Sequence, residues 1–387
     1  MLMVQYLLTG VSMSKDLRIV SISDIHLGHH VTLSDYIYEN LRTYFYPELT
    51  PETDILFICG DFFDRLLNLD SKSSTIAITV IHELIQIAIK NNIFIRVLNG
   101  TFSHDKYQNQ LFTTISEKYK NINLKVINDI SIEKIKELEL NVLYLPDDLP
   151  YKNTEEVYNC INEILYTNNL EKVDLIIGHG TLDYAVPKAA HGKDKIIFTR
   201  ERLEDIVDGY ALFGHIHTRG VTGKIVYNGS FDRLVHNEES EKGFYITTRK
   251  NDKYRTKFFE NKDAAKFITL KPFGDDLDEL KTDLFRKVDM FFGPHYTGHL
   301  RIVCKDVTIR SVLYKLVLDK YPTLDITCKT VKEIQEEEKI DSEIQTFTSI
   351  SLNESNIVDI IYSYIKEHEK NPVCTLQDVQ YYLTLGD

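Results

Sequence analysis

The stretch that most constrains the fold is LRIVSISDIHLG, Leu17 to Gly28: an apolar run with the character of a buried strand, followed at once by Asp24 and His26. An aspartate and a histidine so spaced, just past a strand end, can aim at one metal ion while the strand fixes their separation. The pattern then returns. Later apolar runs are followed by Gly60-Asp61-Phe62-Phe63-Asp64, by Gly100 to Asp105 (GTFSHD), by Gly178-His179-Gly180 and by Gly214-His215-Ile216-His217. A fold that serves this pattern has to bring the ends of several strands to one place.

The segments between these loops alternate in period. Helices are expected over Tyr36 to Tyr46, Thr75 to Lys90, Gln108 to Lys118 and Thr154 to Tyr166. Strands are expected over Asp54 to Cys59, Ile93 to Leu98, Leu124 to Asn128, Val142 to Leu145, Val173 to Ile177 and Tyr210 to Phe213, with hairpin material at Lys224 to Ser230 and Gly243 to Thr248. This rhythm is α/β. From Pro272 the texture changes to a short helix, strand, helix, strand series: Asp276 to Asp289, His299 to Cys304, Ile309 to Lys320, Leu324 to Thr330. The expected organisation is an N-terminal extension over 1–15, a main domain over 16–270, a small α/β domain over 271–335 and an acidic linker with a helical tail over 336–387. In that tail Ser351-x-x-Glu354 and Thr375-x-x-Asp378 are capping-box patterns, and Ile357, Val358, Ile361, Tyr364 and Ile365 fall on one helical face.

Composition narrows the function classes. At 387 residues the chain is long enough for two or three domains, and 43% hydrophobic with 27% charged residues is a globular balance. No run reaches the roughly 18 uncharged apolar residues of a membrane span. The opening MLMVQYLLTGVSM has no basic leader and is expected to be an extension, with Met13 an alternative start, rather than a signal peptide. Five scattered cysteines without a CxxC pair point to a reducing compartment, such as the cytoplasm of a bacterial or phage-infected cell. A net charge of -13 means that any grip on nucleic acid rests on a local basic patch, bound cations or a partner.

Hydrolysis of a phosphodiester near neutral pH needs an activated water and positive charge against the phosphate oxygens, and two divalent ions about 3.5 to 4 Å apart supply both. Asp61, at its strand end, is the natural bridging carboxylate. Asp24, His26 and His217 would complete one metal, and His179 with His215 the other. Histidines mixed with carboxylates favour borderline ions such as Mn²⁺, Zn²⁺ or Fe²⁺. His104 is left unligated and, held by its neighbour Asp105, is expected to protonate a leaving alkoxide.

Taken together, DIH, GD-x-x-D, HD after a glycine loop, GH and GHIH resemble the calcineurin-like metallophosphoesterases, and within them the Mre11/SbcD nuclease branch with its phage members. Asn228-Gly229-Ser230-Phe231-Asp232-Arg233 followed by Glu241-Lys242-Gly243-Phe244 is similar to that branch's post-motif segment, and Lys262 to Leu270 to its inter-domain junction. The resemblance implies two stacked β-sheets flanked by helices, two Mn²⁺ ions, exo- and endonuclease action on DNA ends, and a homodimer working with a Rad50/SbcC-type ATPase gripped by the tail. It assigns Asp24, His26, Asp61 and His217 to one metal, Asp61, His179 and His215 to the other, His104 to the leaving group, and Asp64 to support of the ligands.

One departure stands out. The family's Gly-Asn-His-Asp is here Gly100-Thr101-Phe102-Ser103-His104-Asp105, so the amide ligand is missing and two residues are added. Ser103 holds the matching slot and Asn99 lies just upstream, and the second metal is expected to bind more weakly. Lys188, Lys193 and Lys195, with Arg200 and Arg202 beyond them, are the basic stretch nearest a metal motif, and Arg219 and Arg233 are further candidate DNA contacts. Two other readings remain at this point: a stand-alone phosphatase or cyclic-nucleotide phosphodiesterase, and a non-catalytic scaffold for DNA or partner proteins.

Overall fold

Residues 17–22 are buried almost throughout, which suits a strand covered on both faces. In the computed structural model, which describes residues 15–147, 149–185, 196–238, 240–274, 276–293, 298–305 and 307–335, they form the first strand of a six-stranded sheet. The strands in chain order are β1 (Leu17–Ile22), β2 (Ile55–Cys59), β3 (Phe94–Leu98), β4 (Leu124–Ile127), β5 (Ser131–Ile135), β6 (Leu140–Leu145), β7 (Leu175–His179), β8 (Thr181–Leu182), β9 (Ile197–Phe198), β10 (Ala211–Gly214), β11 (Gly220–Thr222), β12 (Ile225–Tyr227), β13 (Gly243–Lys250), β14 (Lys253–Glu260), β15 (Phe267–Leu270), β16 (Gly298–Cys304) and β17 (Leu324–Thr330). The helices are α1 (Ser34–Asn40), α2 (Lys72–Asn91), α3 (Phe102–Asp105), α4 (Gln110–Ser116), α5 (Thr154–Thr167), α6 (Arg200–Ile206), α7 (Leu277–Phe292) and α8 (Arg310–Lys320).

The first sheet has the order β14-β13-β1-β2-β3-β4, and the second β11-β12-β10-β7-β6-β5. Four adjacent strands of each are parallel to one another. The sheets pack face to face through Ile19, Phe57, Leu98, Val142, Tyr144, Ile177 and Leu212. Helices α1, α2 and α4 cover the outer face of the first sheet, and α5 and α6 that of the second. The molecule is therefore a mixed α/β structure of stacked sheets flanked by helices. In each sheet the carboxyl ends of the parallel strands lie on one side, which is where open α/β sheets place their ligands.

Helix boundaries follow local chemistry. Ser71 accepts from the Ser74 amide at the start of α2, and Asn92, at φ 57°, closes it in the left-handed conformation. The helix expected over Tyr36 to Tyr46 is α1 continued by a wider turn over Leu41–Phe45, and Pro47 sits in the short 3₁₀ turn that follows. The expected hairpin segments each form one arm of an antiparallel pair, β12 with β11 and β13 with β14, and each also joins its sheet, β12 parallel to β10 and β13 antiparallel to β1. Phe267–Leu270, expected as a junction, is the first strand of a small parallel sheet, β15-β16-β17, packed on α7 and α8 around Leu284, Leu300, Ile302 and Val317. The basic stretch with Lys188, Lys193 and Lys195, the opening extension up to residue 14 and the tail helices lie outside the described residues. Among the described residues no helix is long and apolar enough to cross a membrane.

Candidate metal centre

The turns after β1, β2 and β10 deliver their side chains through strained backbone, whereas His179 ends β7 itself. Asp24, His26, Asp61 and His215 all have positive φ, at 49°, 53°, 50° and 89°. Such backbone is costly for residues with a Cβ and persists where the surroundings impose it. The first two loops are stapled together, with the Asp24 amide donating to the Gly60 carbonyl (3.1 Å) and the Ile25 amide to that of Asp61 (2.9 Å). Glycines make the closeness possible: a Cβ on Gly60 would lie 2.2 Å from His179 Nδ1, and one on Gly100 2.2 Å from Asp61 Oδ1.

The expected residues converge. Asp24, His26 and His217 place ligand atoms within 4.8 Å of one another, as do Asp61, His179 and His215, and as do His26, Asp61 and His104. His26 Nε2 faces His217 Nε2 at 3.2 Å, and Asp24 Oδ1 lies 3.8 Å from the latter. Asp61 Oδ2 is 3.3 Å from His179 Nε2 and 3.9 Å from His26 Nε2, so this carboxylate stands between the two groups. Asp24, His26, Asp61 and His179 are buried.

The donor set fits divalent cations. His179 turns its Nδ1 to the Cys59 carbonyl (2.7 Å), His104 to the Asp64 carbonyl (2.6 Å) and His217 to Glu238 Oε1 (2.6 Å). A hydrogen bond at Nδ1 leaves the Nε2 lone pair as the one available for a metal or a proton. His26 Nδ1 lies 3.3 Å from Asp64 Oδ1, though without the alignment of a hydrogen bond. In the protein alone, burial opposes charge on His179 and His217, yet Asp61 raises the first and Glu238 with Asp24 raises the second. Burial lowers His215. Two buried carboxylates ringed by imidazoles thus attract positive charge, from protons or from metal ions.

Two expectations are corrected. The hydroxyl among the second group is that of Thr101, not Ser103: Thr101 Oγ1 lies 3.3 Å from Asp61 Oδ2, 3.4 Å from His179 Nε2 and 3.5 Å from His215 Nδ1, and its amide donates to Asp61 Oδ1 (2.7 Å). The added residues form the single turn α3, which carries Ser103 past the slot, and Asn99 is engaged by Asn128 and Asn109. Nor does Asp105 hold His104. It accepts from the amides of Gly100 (2.7 Å), Phe63 (3.1 Å) and Asp61 (3.2 Å), so it buckles two ligand loops together. Burial and the Asp61 carboxylate push its carboxyl upward.

The candidate DNA-contacting arginines have other partners. Arg233 donates to the carbonyls of Glu238, Ser240, Ala264 and Ala265 and is a brace of its own loop. Arg219 pairs with Glu241 and lies over the Phe258 ring at 4.1 Å. Arg200 and Arg202 pair with Glu204 and Glu155. Thr101 and Glu238 are the site residues that spacing did not reveal. Thr101 was inside a motif already in view, whereas Glu238 lies in a loop with no periodic signal.

A scan of family models finds no match for this chain, and no curated protein matches it. Among solved structures, one is similar at 13% identity and a TM-score of 0.35, covering 64% of this chain and 100% of its own. The protein TT1561 of Thermus thermophilus is similar at 8% identity and a TM-score of 0.34, covering 63% of this chain and 99% of its own. Likeness this low bears on neither the arrangement of the sheets nor the chemistry.

Proposed function

We propose that this chain is a metal-dependent phosphodiesterase of the metallophosphoesterase type: a DNA nuclease subunit of the Mre11/SbcD kind that uses two Mn²⁺ ions and works with a Rad50/SbcC-type ATPase. The observation that carries the proposal is the position of Asp61 between two histidine-containing groups, with His104 beside them. Two divalent cations held there would supply charge against the phosphate oxygens and activate the attacking water.

The chain's own residues do the rest. Asp24, His26, Asp61 and His217 would hold one ion, and Asp61, His179 and His215 the other, with the Thr101 hydroxyl as a neutral oxygen donor. His104, fixed at Nδ1 by the Asp64 carbonyl, directs Nε2 toward the reacting phosphate. In its protonated form it delivers a proton to the departing sugar oxygen, which removes the cost of expelling an alkoxide. The motif pattern and the small domain followed by an amphipathic tail favour a polymeric substrate and a protein partner over a small ester.

Linear and hairpin DNA, a nucleoside monophosphate and a cyclic nucleotide, each incubated with the protein and Mn²⁺, test the proposal. DNA cleavage that falls at least ~10²-fold in His104→Ala supports it. Turnover of small esters alone would make the chain a phosphatase, and no turnover of any substrate would make it a scaffold. Co-purification with a Rad50/SbcC-type ATPase, with and without residues 336–387, tests the partner.

A further inference from the structure

The imidazoles of the centre are not oriented alike. His179 and His104 rest on main-chain carbonyls, which the fold fixes in place. His217 rests on a side chain, Glu238 Oε1 at 2.6 Å. A carboxylate orients a ring only if it is held in turn, and this one is. Its second oxygen lies 3.0 Å from Lys242 Nζ and accepts from the Leu234 amide at 3.0 Å.

Lys242 is itself unusual. Its side chain is fully buried, and its ammonium also donates to the His217 carbonyl (2.9 Å) and to Ser230 Oγ (2.7 Å). Those partners with Glu238 account for the three protons of an ammonium group. A buried lysine is expensive to desolvate. Here two of its bonds go to the His217 carbonyl and to Glu238, and the third to Ser230, whose amide itself donates to the His217 carbonyl (3.2 Å). The same loop is braced further by Arg233, which donates to the Glu238 carbonyl at 3.1 Å, and by His236, whose ring meets Phe267 of β15 edge-on at 5.2 Å. The neighbouring Glu241 is turned to Arg219 and takes no part.

We propose that Glu238, clamped by Lys242, is the positioning residue for His217: it takes the Nδ1 hydrogen bond and so presents the Nε2 lone pair to the Asp24–His26 group. This rests on the reading of that group as a metal site. A carboxylate partner does more than set the tautomer, because it makes the imidazole a better electron-pair donor and removes the freedom of the ring to rotate away. Loss of Glu238 should therefore weaken one metal site and leave the other, held through carbonyl-fixed His179, nearly untouched.

The test is metal binding by the full-length protein, not its activity. Mn²⁺ affinities are measured by competition titration and site geometry by the visible spectrum of the Co²⁺ form, for the wild type, Glu238→Ala, Glu238→Gln and His217→Ala. Glu238→Ala should weaken one of two sites by about 10–100-fold and change its Co²⁺ spectrum, with the second site within about twofold. Glu238→Gln, which still offers an oxygen to Nδ1 but lacks the charge, should lose less and still shift the spectrum. In a His217→Ala background the change at Glu238 should have no further effect. Thermal unfolding of the metal-free proteins identifies any variant that fails to fold, and Glu238→Gln then decides. Unchanged affinity and spectrum in a folded variant overturn the inference while leaving the metal centre standing. A wild-type protein that binds no divalent ion overturns the reading of the centre and the inference with it.

Discussion

In the proposed two-metal centre, single residues decide how tightly each ion would be held. In the proposed centre Thr101 offers a hydroxyl at 3.3 to 3.5 Å from Asp61, His179 and His215, where the metallophosphoesterase pattern that the sequence resembles has a carboxamide. A hydroxyl is a weaker and less reaching donor than an amide oxygen, so the site built on His179 should be the weaker of the two. Thr101→Val keeps the shape and removes the oxygen. It is expected to weaken that site by about tenfold, the worth of one polar contact of ~1.4 kcal/mol, without changing the other site. Two-site analysis of a Mn²⁺ titration checks this, and two equally tight sites in the wild type would contradict it. At this scale the ligands were legible because each follows an apolar run closely enough to be placed on a strand end. Thr101 and Glu238 were not: which hydroxyl enters the slot depends on the turn α3, and the His217–Glu238 contact joins residues whose separation carries no helical or strand period.

At the scale of elements, the two sheets are joined at one edge by a charged network. Arg96 on β3 of the first sheet donates from Nε and Nη2 to both oxygens of Glu133 on β5 of the second, at 2.7 and 2.9 Å, while Tyr144 on β6 adds a bond at 2.9 Å and Lys125 on β4 pairs with the same carboxylate. Burial opposes ionisation of Glu133, but Arg96, Lys125 and Tyr144 outweigh it and hold the carboxyl at about 2 instead of 4.5. The folded pKa is depressed, so this stabilisation is fully present above pH 4.5 and lost as the pH falls through about 2. Glu133→Gln should destabilise the fold by roughly 1–3 kcal/mol at neutral pH, since Arg96 stays buried with a weaker partner. In urea unfolding the gap between wild type and variant should close across that acid window, and a gap independent of pH would show that the pair does not act as described. The strands themselves were legible as apolar runs between turn residues. β5 and β14 were harder to see because they lie at sheet edges, where most side chains are half-buried or exposed and the hydrophobic signal thins.

Over the whole molecule, the ligands come from both sheets: Asp24, His26 and Asp61 follow β1 and β2, whereas His179, His215 and His217 end or follow β7 and β10. The apolar layer between the sheets holds them together along their length, but at the carboxyl ends the contact is between acids and imidazoles. Without cations, burial works against charge on His179 and His217, but Asp61 beside the first and Glu238 with Asp24 beside the second shift both toward their protonated forms. Divalent ions would replace those protons and tie loops of one sheet to loops of the other, so metal binding and sheet packing are linked. An ion that binds only the folded chain stabilises it by ~2.7 kcal/mol at a hundredfold excess over its Kd, which for a domain of this size raises the melting temperature by roughly 4–5 °C. Mn²⁺ added to chelator-treated protein should therefore raise the melting point in scanning calorimetry. The shift should grow with the logarithm of Mn²⁺ concentration and be almost lost in Asp61→Asn, because that carboxylate touches both groups. A melting point indifferent to Mn²⁺ in the wild type would mean that the loops meet for reasons other than holding metal, and the phosphodiester chemistry would lose its foundation.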